Sequence, residues 1–202
     1  ILDVIKQRAV SGKFISILLD VAYIEFAGDG SQKKFFQKFS SLPENIITTV
    51  AYSMSKSYTA YGIRAGACII ISSSEDIAER TFDSMKHSNR SIWSNITHAG
   101  MNILVDIESD EEKKKCYEDE LKANRKLLEK RSNAFVSNAK EVDLIHLPYF
   151  GGFFISIPCD KPREVAQKLK EKDMYIVANK NGLRFAVCAV GEEKCKIPPK
   201  LI

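Results

Sequence analysis

Apolar residues in the first third of the chain fall into short, nearly continuous runs. Phe14-Ile-Ser-Ile-Leu-Leu19 ends at Asp20, and two further runs span Ile46–Tyr52 and Ala67–Ile71. Runs of this length that are rich in β-branched residues are typical of strands in a sheet with both faces covered. We therefore predict three strands, the first of them buried on both faces of a parallel sheet and carrying Asp20 at its carboxyl end.

Between these runs the apolar period changes to that of a helix. Gly28-Asp29-Gly30 is a turn signal, and it is followed by apolar residues at helical spacing that stop at Pro43: Phe35, Phe36, Phe39 and Leu42. After the third strand, Ser72-x-x-Glu75 has capping-box spacing and precedes a predicted inner helix face made of Ile77, Ala78, Phe82 and Met85. The alternation predicts an α/β layered sheet, in which ligands gather at the carboxyl ends of strands.

The remainder of the chain predicts a second, smaller unit. Leu121, Leu128 and Phe135 recur seven residues apart in a charged stretch from Ser109 to Ala139, which indicates one long helix with a solvated face. Strands are then predicted at Phe153–Ile157, Tyr175–Ala178 and Leu183–Val190, with a helix at Pro162–Lys172. We predict residues 1–95 as part of a larger α/β domain, and 96–202 as a connecting helix with a small α+β domain.

Composition narrows the class of protein. The 30 basic and 26 acidic residues give a net charge of +4, too balanced for a nucleic-acid binder that depends on a basic patch. The longest apolar stretch, around Ala65–Ile71, is far shorter than the roughly 20 residues of a membrane helix. Five cysteines without a C-x-x-C pair favour a reducing, cytoplasmic location, and the three histidines lack metal-ligand spacing, so no metal is expected.

Two motifs around the second predicted strand carry candidate chemistry. Ser53-Met-Ser-Lys56 follows that strand, and Gly62-Ile-Arg64-Ala-Gly66 comes a few residues later, so an amine, two hydroxyls and a guanidinium meet at one strand-to-loop junction. A lone lysine at a strand end is usually a surface residue, and the hydroxyls alone could be ordinary loop residues. Together with Asp20-Val-Ala-Tyr23 upstream, this arrangement resembles class I pyridoxal-phosphate-dependent aminotransferases of the aspartate and aromatic group.

The resemblance implies a three-layer large domain of pyridoxal-phosphate fold type I, of which residues 1–95 are the later part, and a role for each motif residue. Lys56 is expected to hold the cofactor as a Schiff base and to shuttle the substrate α-proton. Asp20, as a buried carboxylate, is expected to keep the cofactor's ring nitrogen protonated, and Tyr23 to hydrogen-bond its phenolic oxygen. Arg64, helped by Ser53 and Ser55, is expected to bind the phosphate.

Two more segments extend the resemblance to substrate recognition. Arg90-Ser-Ile-Trp93-Ser-Asn95 resembles the segment whose arginine reaches across a dimer interface to a substrate's distal carboxylate. Gly182-Leu-Arg184 resembles the strand whose arginine clamps the α-carboxylate. The expected substrates are an amino acid, either aspartate or glutamate or an aromatic one, and a 2-oxo acid, and the expected assembly is a homodimer.

The same resemblance implies that the family has a segment before Asp20 that contributes phosphate contacts and a ring-stacking aromatic residue. We therefore expect this chain alone to lack a complete active site. Two alternatives stay open. One is another enzyme of the same fold, such as a carbon-sulfur lyase or a synthase, and the other is a non-catalytic module that retains Lys56 and Arg184.

Overall fold

The chain folds into two units in the computed structural model, which describes residues 1–28 and 31–202. The first unit comprises the described residues of Ile1–Glu25 and Asp29–Lys114, and the second comprises Phe26–Gly28 and Lys115–Ile202. Each unit contains a three-stranded sheet. The predicted turn at Gly28-Asp29-Gly30 includes residues 29 and 30, which lie outside the described residues.

The sheet of the first unit has the three strands predicted from the apolar runs: β1 (Ile15–Asp20), β2 (Ile46–Ser53) and β3 (Gly66–Ile71). Their order is β1-β2-β3, with β1 parallel to β2 and β3 antiparallel to it. The connection between β2 and β3, residues 54–65, is described throughout and contains only a four-residue helix and a three-residue 3-10 helix, with no crossover helix, and the chain returns antiparallel. As a result, Lys56 and Arg64 both lie in this one connection.

The prediction that β1 is buried on both faces is wrong for the described residues. Side chains along β1 alternate between half-buried and exposed, and Leu18 is 70% exposed. Only the face that carries Leu19 packs against apolar neighbours. An apolar run shows that both faces can be buried, but it does not show which part of a molecule covers each face.

The first unit also contains the α-helices α1 (Leu2–Val10), α2 (Met54–Ser57), α3 (Glu75–Ile92) and α4 (His98–Glu108). There are 3-10 helices at Ile24–Phe26, whose last residue belongs to the second unit, at Ser31–Phe39 and at Tyr61–Ile63. The predicted covering helix before Pro43 is thus a 3-10 helix. Its Phe39 packs with Leu42, Ile46 and Ala9 of α1 in a buried apolar cluster. This cluster covers one face of the sheet.

The start of α3 and its inner face differ from the prediction. Ser74, not Ser72, is the N-cap residue, since its hydroxyl accepts a hydrogen bond from Ile77 N at 3.4 Å. Phe82 and Met85 are 59% and 45% exposed, and no residue of α3 is fully buried. The helical period was therefore correct, but the assignment of that face to the core was wrong.

The second unit combines the long helix with a small antiparallel sheet. Its elements are α5 (Glu111–Glu141, which begins in the first unit), β4 (Phe154–Pro158), α6 (Pro162–Lys170), β5 (Val177–Asn179), β6 (Gly182–Ala186), α7 (Glu192–Cys195) and α8 (Pro198–Leu201). The strand order is β4-β6-β5. The predicted α+β unit is confirmed, but β5 begins two residues later than predicted and β6 ends at Ala186 instead of Val190.

The predicted stripe of α5 forms the core of the second unit. Leu121, Leu128 and Phe135 are buried, and the Phe135 ring stacks on that of Phe185 with centroids 4.8 Å apart. Leu183 of β6 is buried in the same cluster. The seven-residue apolar spacing therefore identified the packing face of α5 correctly.

Truncation of the central ring should destabilise this unit strongly. Phe135→Ala leaves a cavity at a residue that is 0% exposed, so we expect the free energy of unfolding to fall by about 3–5 kcal/mol. Urea denaturation followed by circular dichroism measures the change. The matched control is Phe150→Ala, because Phe150 is 87% exposed; equal shifts in the two variants would contradict the assigned core.

The five cysteines are free thiols. Burial raises the pKa of the Cys195 thiol above its ordinary value, whereas Cys116 is exposed. We expect iodoacetamide to label Cys116 in the folded protein long before Cys195.

Across the described residues, no helix is both long and apolar enough to cross a membrane.

Candidate active site

Lys56 lies on the single turn of α2 that follows β2. The hydroxyl of Ser53 caps this turn by accepting a hydrogen bond from Ser55 N at 3.2 Å. Met54 N donates to Ala65 O at 3.1 Å, and Met54, Ser55 and Ser57 are buried. The half-buried Lys56 side chain therefore extends from a turn whose neighbouring residues are fixed.

The arginine motif returns the chain to the same place. Arg64 adopts a left-handed conformation with φ of 61°, directly after the 3-10 helix Tyr61–Ile63. Its Nη1 donates to Ser55 Oγ at 3.3 Å and to Tyr61 O at 2.9 Å. The exposed guanidinium has further N–H groups, which are the kind of donor that binds phosphate or carboxylate oxygens.

The glycine at the end of this motif has a steric role. A Cβ atom at Gly66 would collide with the carbonyl oxygen of Tyr52 on the adjacent strand. Gly66 pairs with Ser53 in the β2–β3 register. The absence of a side chain therefore permits the close pairing that closes the loop between Lys56 and Arg64.

Tyr61 is a site residue that the sequence motifs did not identify. Lys56 Nζ lies 3.9 Å from the centroid of the Tyr61 ring, and Arg64 Cζ lies 5.3 Å from it. The ring therefore contacts both cationic groups expected to serve the cofactor. The available signal was an aromatic residue directly before Gly62-Ile-Arg64, but no spacing rule assigns it a role.

The segment at the end of β1 contributes Tyr23 and Asp20. The Tyr23 ring centroid is 5.6 Å from Lys56 Nζ, so Tyr23 belongs to the same cluster. Asp20 pairs with Ala51 of β2, and its Oδ1 accepts a hydrogen bond from Ala22 N at 3.1 Å. The Asp20 side chain is exposed, on the same face as Leu18, rather than buried as expected.

The two other predicted arginines, Arg90 and Arg184, belong to other elements of the chain. Arg90 is exposed on α3, and its Nη1 donates to Ser94 Oγ at 2.6 Å. Arg184 belongs to β6 in the second unit, and its Cζ lies 4.5 Å from the centroid of the Phe154 ring. The structure therefore brings together Lys56, Arg64, Ser55 and Tyr23. The contacts described for Arg90 and Arg184 are with Ser94 and Phe154, respectively.

A hydrogen-bonded network behind α2 also escaped the sequence motifs. The Tyr58 hydroxyl donates to Glu108 Oε1 at 3.1 Å, and Lys114 Nζ lies 3.2 Å from Glu108 Oε2. Lys114 and, next, Tyr58 lower the pKa of Glu108 below its ordinary value of 4.5. Burial raises the pKa of Tyr52, which is also hydrogen-bonded to Tyr58. This network connects the lysine turn to the end of α4.

The network gives a pH dependence with a definite sign. Since the pKa of Glu108 is lowered by folding, its stabilising contribution is present above about pH 4.5 and is lost as the pH falls through the lowered value. Glu108→Gln should therefore lower the melting temperature at neutral pH, by a difference that disappears in acid. The control is Glu79→Gln, an exposed carboxylate on α3. A pH-independent difference, or the same profile in both variants, would count against the network.

Sequence comparison relates most of this chain to known proteins. The family pattern of aminotransferase class I and II matches residues 7–197. An aspartate aminotransferase of Salmonella typhi is 30% identical over 125 residues, which cover 61% of this chain and 31% of that protein. The sequence matches therefore include most of this chain but a minority of the relative.

Solved structures share the fold over almost the whole chain. An aminotransferase from Anaerococcus prevotii superimposes with a TM-score of 0.94 at 48% identity, over 98% of this chain and 48% of that one. An aromatic-amino-acid aminotransferase from Burkholderia pseudomallei, covalently bound to pyridoxal phosphate, superimposes with a TM-score of 0.72 at 23% identity, over 97% and 49%. This chain thus spans about half the length of these proteins.

Proposed function

The chain belongs to the class I and II aminotransferase family, and from this we propose that it forms the lysine-bearing half of a pyridoxal-phosphate-dependent aminotransferase. Its fold is that of the fold-type-I enzymes, as the sequence resemblance implied. The proposed reaction moves an amino group from an amino acid to a 2-oxo acid. One observation carries the proposal: the Lys56 amine and the Arg64 guanidinium contact the same Tyr61 ring at the end of β2.

The chemistry of this cluster fits the cofactor. Pyridoxal phosphate has an aldehyde, a phosphate, a phenolic oxygen and a ring nitrogen. The cluster offers an amine, a guanidinium with a buried hydroxyl and a phenol, and the Asp20 carboxylate stands at the end of β1, beside Ala51 of β2. Lys56 would hold the aldehyde carbon, Arg64 and Ser55 the phosphate, with Ser53 capping the turn. When bound, the cofactor supplies an electron sink for negative charge at the substrate α-carbon.

The residues of this chain would perform the remaining steps. Once the incoming amino acid has displaced it, the Lys56 amine would take the proton from the substrate α-carbon and deliver it to the carbon that carried the cofactor's aldehyde. Tyr23 would donate a hydrogen bond to the cofactor's phenolic oxygen, and Asp20 would pair with the protonated ring nitrogen. Because the Asp20 carboxylate is exposed, this role requires that the bound ring cover it.

Substrate recognition is assigned to arginines in both units. We propose that Arg184 binds the α-carboxylate through parallel N–H donors and that Arg90 binds a distal carboxylate in a neighbouring subunit. Two apolar residues close to Arg90 in sequence, Ile92 and Trp93, are each 73% exposed, which supports a homodimer interface there. Aspartate or glutamate are then the proposed donors, with aromatic amino acids as the alternative.

The domain assignment and location also remain proposals. Residues 1–95 are assigned to the cofactor-binding domain and 96–202 to the connecting helix and small domain. A cytoplasmic location is consistent with the free state of the cysteines. Because this chain spans about half of its solved relatives, we propose that full activity needs a segment corresponding to their other half.

The test uses the full natural product of the gene that encodes these residues. Addition of pyridoxal phosphate should produce a yellow protein, and glutamate should bleach it with release of 2-oxoglutarate in a stoichiometric single turnover. Release of ammonia together with a 2-oxo acid would instead indicate a lyase. A protein that remains colourless would indicate a non-catalytic module and contradict the proposal.

A further inference from the structure

The surroundings of Arg184 point to a second residue in carboxylate recognition, an inference that rests on the proposed function. In the antiparallel register of β4 and β6, Ser156 lies opposite Arg184 and Phe154 lies opposite Ala186. Phe154 is therefore a diagonal neighbour of Arg184 on the same face of the sheet. The Arg184 Cζ atom is 4.5 Å from the centroid of the Phe154 ring, so the ring and the guanidinium are in direct contact.

This contact restricts how the guanidinium can be used. A guanidinium binds carboxylates along its planar edge, through N–H groups, while its faces can pack on aromatic rings. The Nε atom of Arg184 is buried and has no hydrogen-bond partner in the part of the chain that the structure describes. Nε–H donates to none of those residues, so the contact that the structure shows for the guanidinium is the one with the Phe154 ring.

Phe154 is itself held by other rings of the second unit. Its ring meets that of Phe153 edge-on with centroids 6.3 Å apart, and Phe153 packs against Phe26 at 4.8 Å. The backbone is tied at the same point, since Gly152 N donates to Phe26 O at 2.9 Å. The aromatic support of Arg184 is therefore a fixed part of the unit rather than a single mobile side chain.

We propose that Phe154 is a positioning residue for Arg184, and that it thereby sets the preference of the protein for ligands that carry a carboxylate beside the amine. Phe154 acts through the guanidinium. Removal of the ring frees the guanidinium to adopt other rotamers, so each carboxylate must order it on binding. The cost falls on carboxylate ligands and not on amines that lack the group.

The test compares Phe154→Leu with Phe154→Tyr, which keeps the ring, and with Phe150→Leu, the same kind of substitution at an exposed position. Two quantities are measured on the full natural product. The first is the affinity for succinate, a simple dicarboxylate, by calorimetry. The second is the ratio of kcat/KM for an amino acid to that for the amine formed by its decarboxylation.

Phe154→Leu should weaken succinate binding and lower the ratio about fivefold, the size expected for loss of one cation–π contact. Phe154→Tyr and Phe150→Leu should match the parent, and the yellow absorbance should be unchanged in all. In an Arg184→Ala background, Phe154→Leu should have no further effect.

Different results would overturn the two ideas separately. If Arg184→Ala weakens succinate binding but Phe154→Leu does not, the role of Phe154 is wrong and the proposed function stands. If succinate binds parent and Arg184→Ala equally, the carboxylate site itself is wrongly placed, and so is the role of Phe154. Circular dichroism shows whether Phe154→Leu folds. If it does not, Phe154→Met takes its place: weaker succinate binding than in Phe154→Tyr supports the role of Phe154, and equal binding contradicts it.

Discussion

We expect Lys56→Ala to replace the imine absorbance of the full natural product by that of the noncovalently bound aldehyde, and to lower the rate of the proposed amino-group transfer by about 10²–10⁴-fold, the range that proton transfer by a positioned side chain contributes. The amine is lost both as the point of covalent attachment and as the base for the substrate α-proton. The hydrogen bond between Arg64 and Ser55 does not involve this side chain, so noncovalent cofactor binding through the phosphate should persist.

Absorbance spectroscopy and single-turnover kinetics with glutamate measure these two effects. Lys56→Arg distinguishes charge from chemistry, because it keeps a cation beside Tyr61 but offers no amine that can form an imine. Lys122→Ala, an exposed lysine on α5, is the matched control and should behave as the parent. An active Lys56→Ala protein that keeps the imine absorbance of the parent would refute the assignment of the lysine.

Asp20→Asn should give the opposite combination, in which colour is retained and the rate falls. The amide has the same shape but no negative charge, so it does not hold the cofactor's ring nitrogen in the protonated state. We expect the rate of amino-group transfer to fall by about 10²–10³-fold, as for loss of one electrostatic stabiliser of a developing charge. The attachment through Lys56 is untouched.

The measurement is stopped-flow observation of bleaching by glutamate. Asp3→Asn, which removes an exposed carboxylate from α1, controls for the change in net charge. If Asp20→Asn bleaches as fast as the parent, Asp20 does not pair with the ring nitrogen. A colourless Asp20→Asn protein would show instead that Asp20 is needed for cofactor binding.

The strands and the long helix could be predicted because their signal is local. β2 has an unbroken β-branched run, and the Leu121, Leu128 and Phe135 stripe of α5 packs within its own unit. The inner face assigned to α3 was wrong for the reason that a helical period reveals an apolar face but not what covers it. Phe82 has the period of a core residue and is 59% exposed.

The part of the candidate site that could be predicted lies in the single connection between β2 and β3, where the residue types alone indicate the chemistry. Lys56, Ser55 and Arg64 were found from their motifs, and the structure places them together. Tyr61 and Glu108 were missed because their roles depend on side-chain directions and on a contact fifty residues apart in sequence, between Tyr58 and Glu108. Neither leaves a periodic pattern.

The pairing of Ser53 with Gly66, supported by the hydrogen bond from Met54 N to Ala65 O, has an evolutionary consequence. Both ends of the segment 54–65 are anchored to one another, so its chain length determines the span from the amine to the guanidinium. Substitutions inside it can drift while that span is conserved, whereas an insertion or deletion alters it at once. Proteins that descend from this one should therefore keep the length of this segment and vary elsewhere.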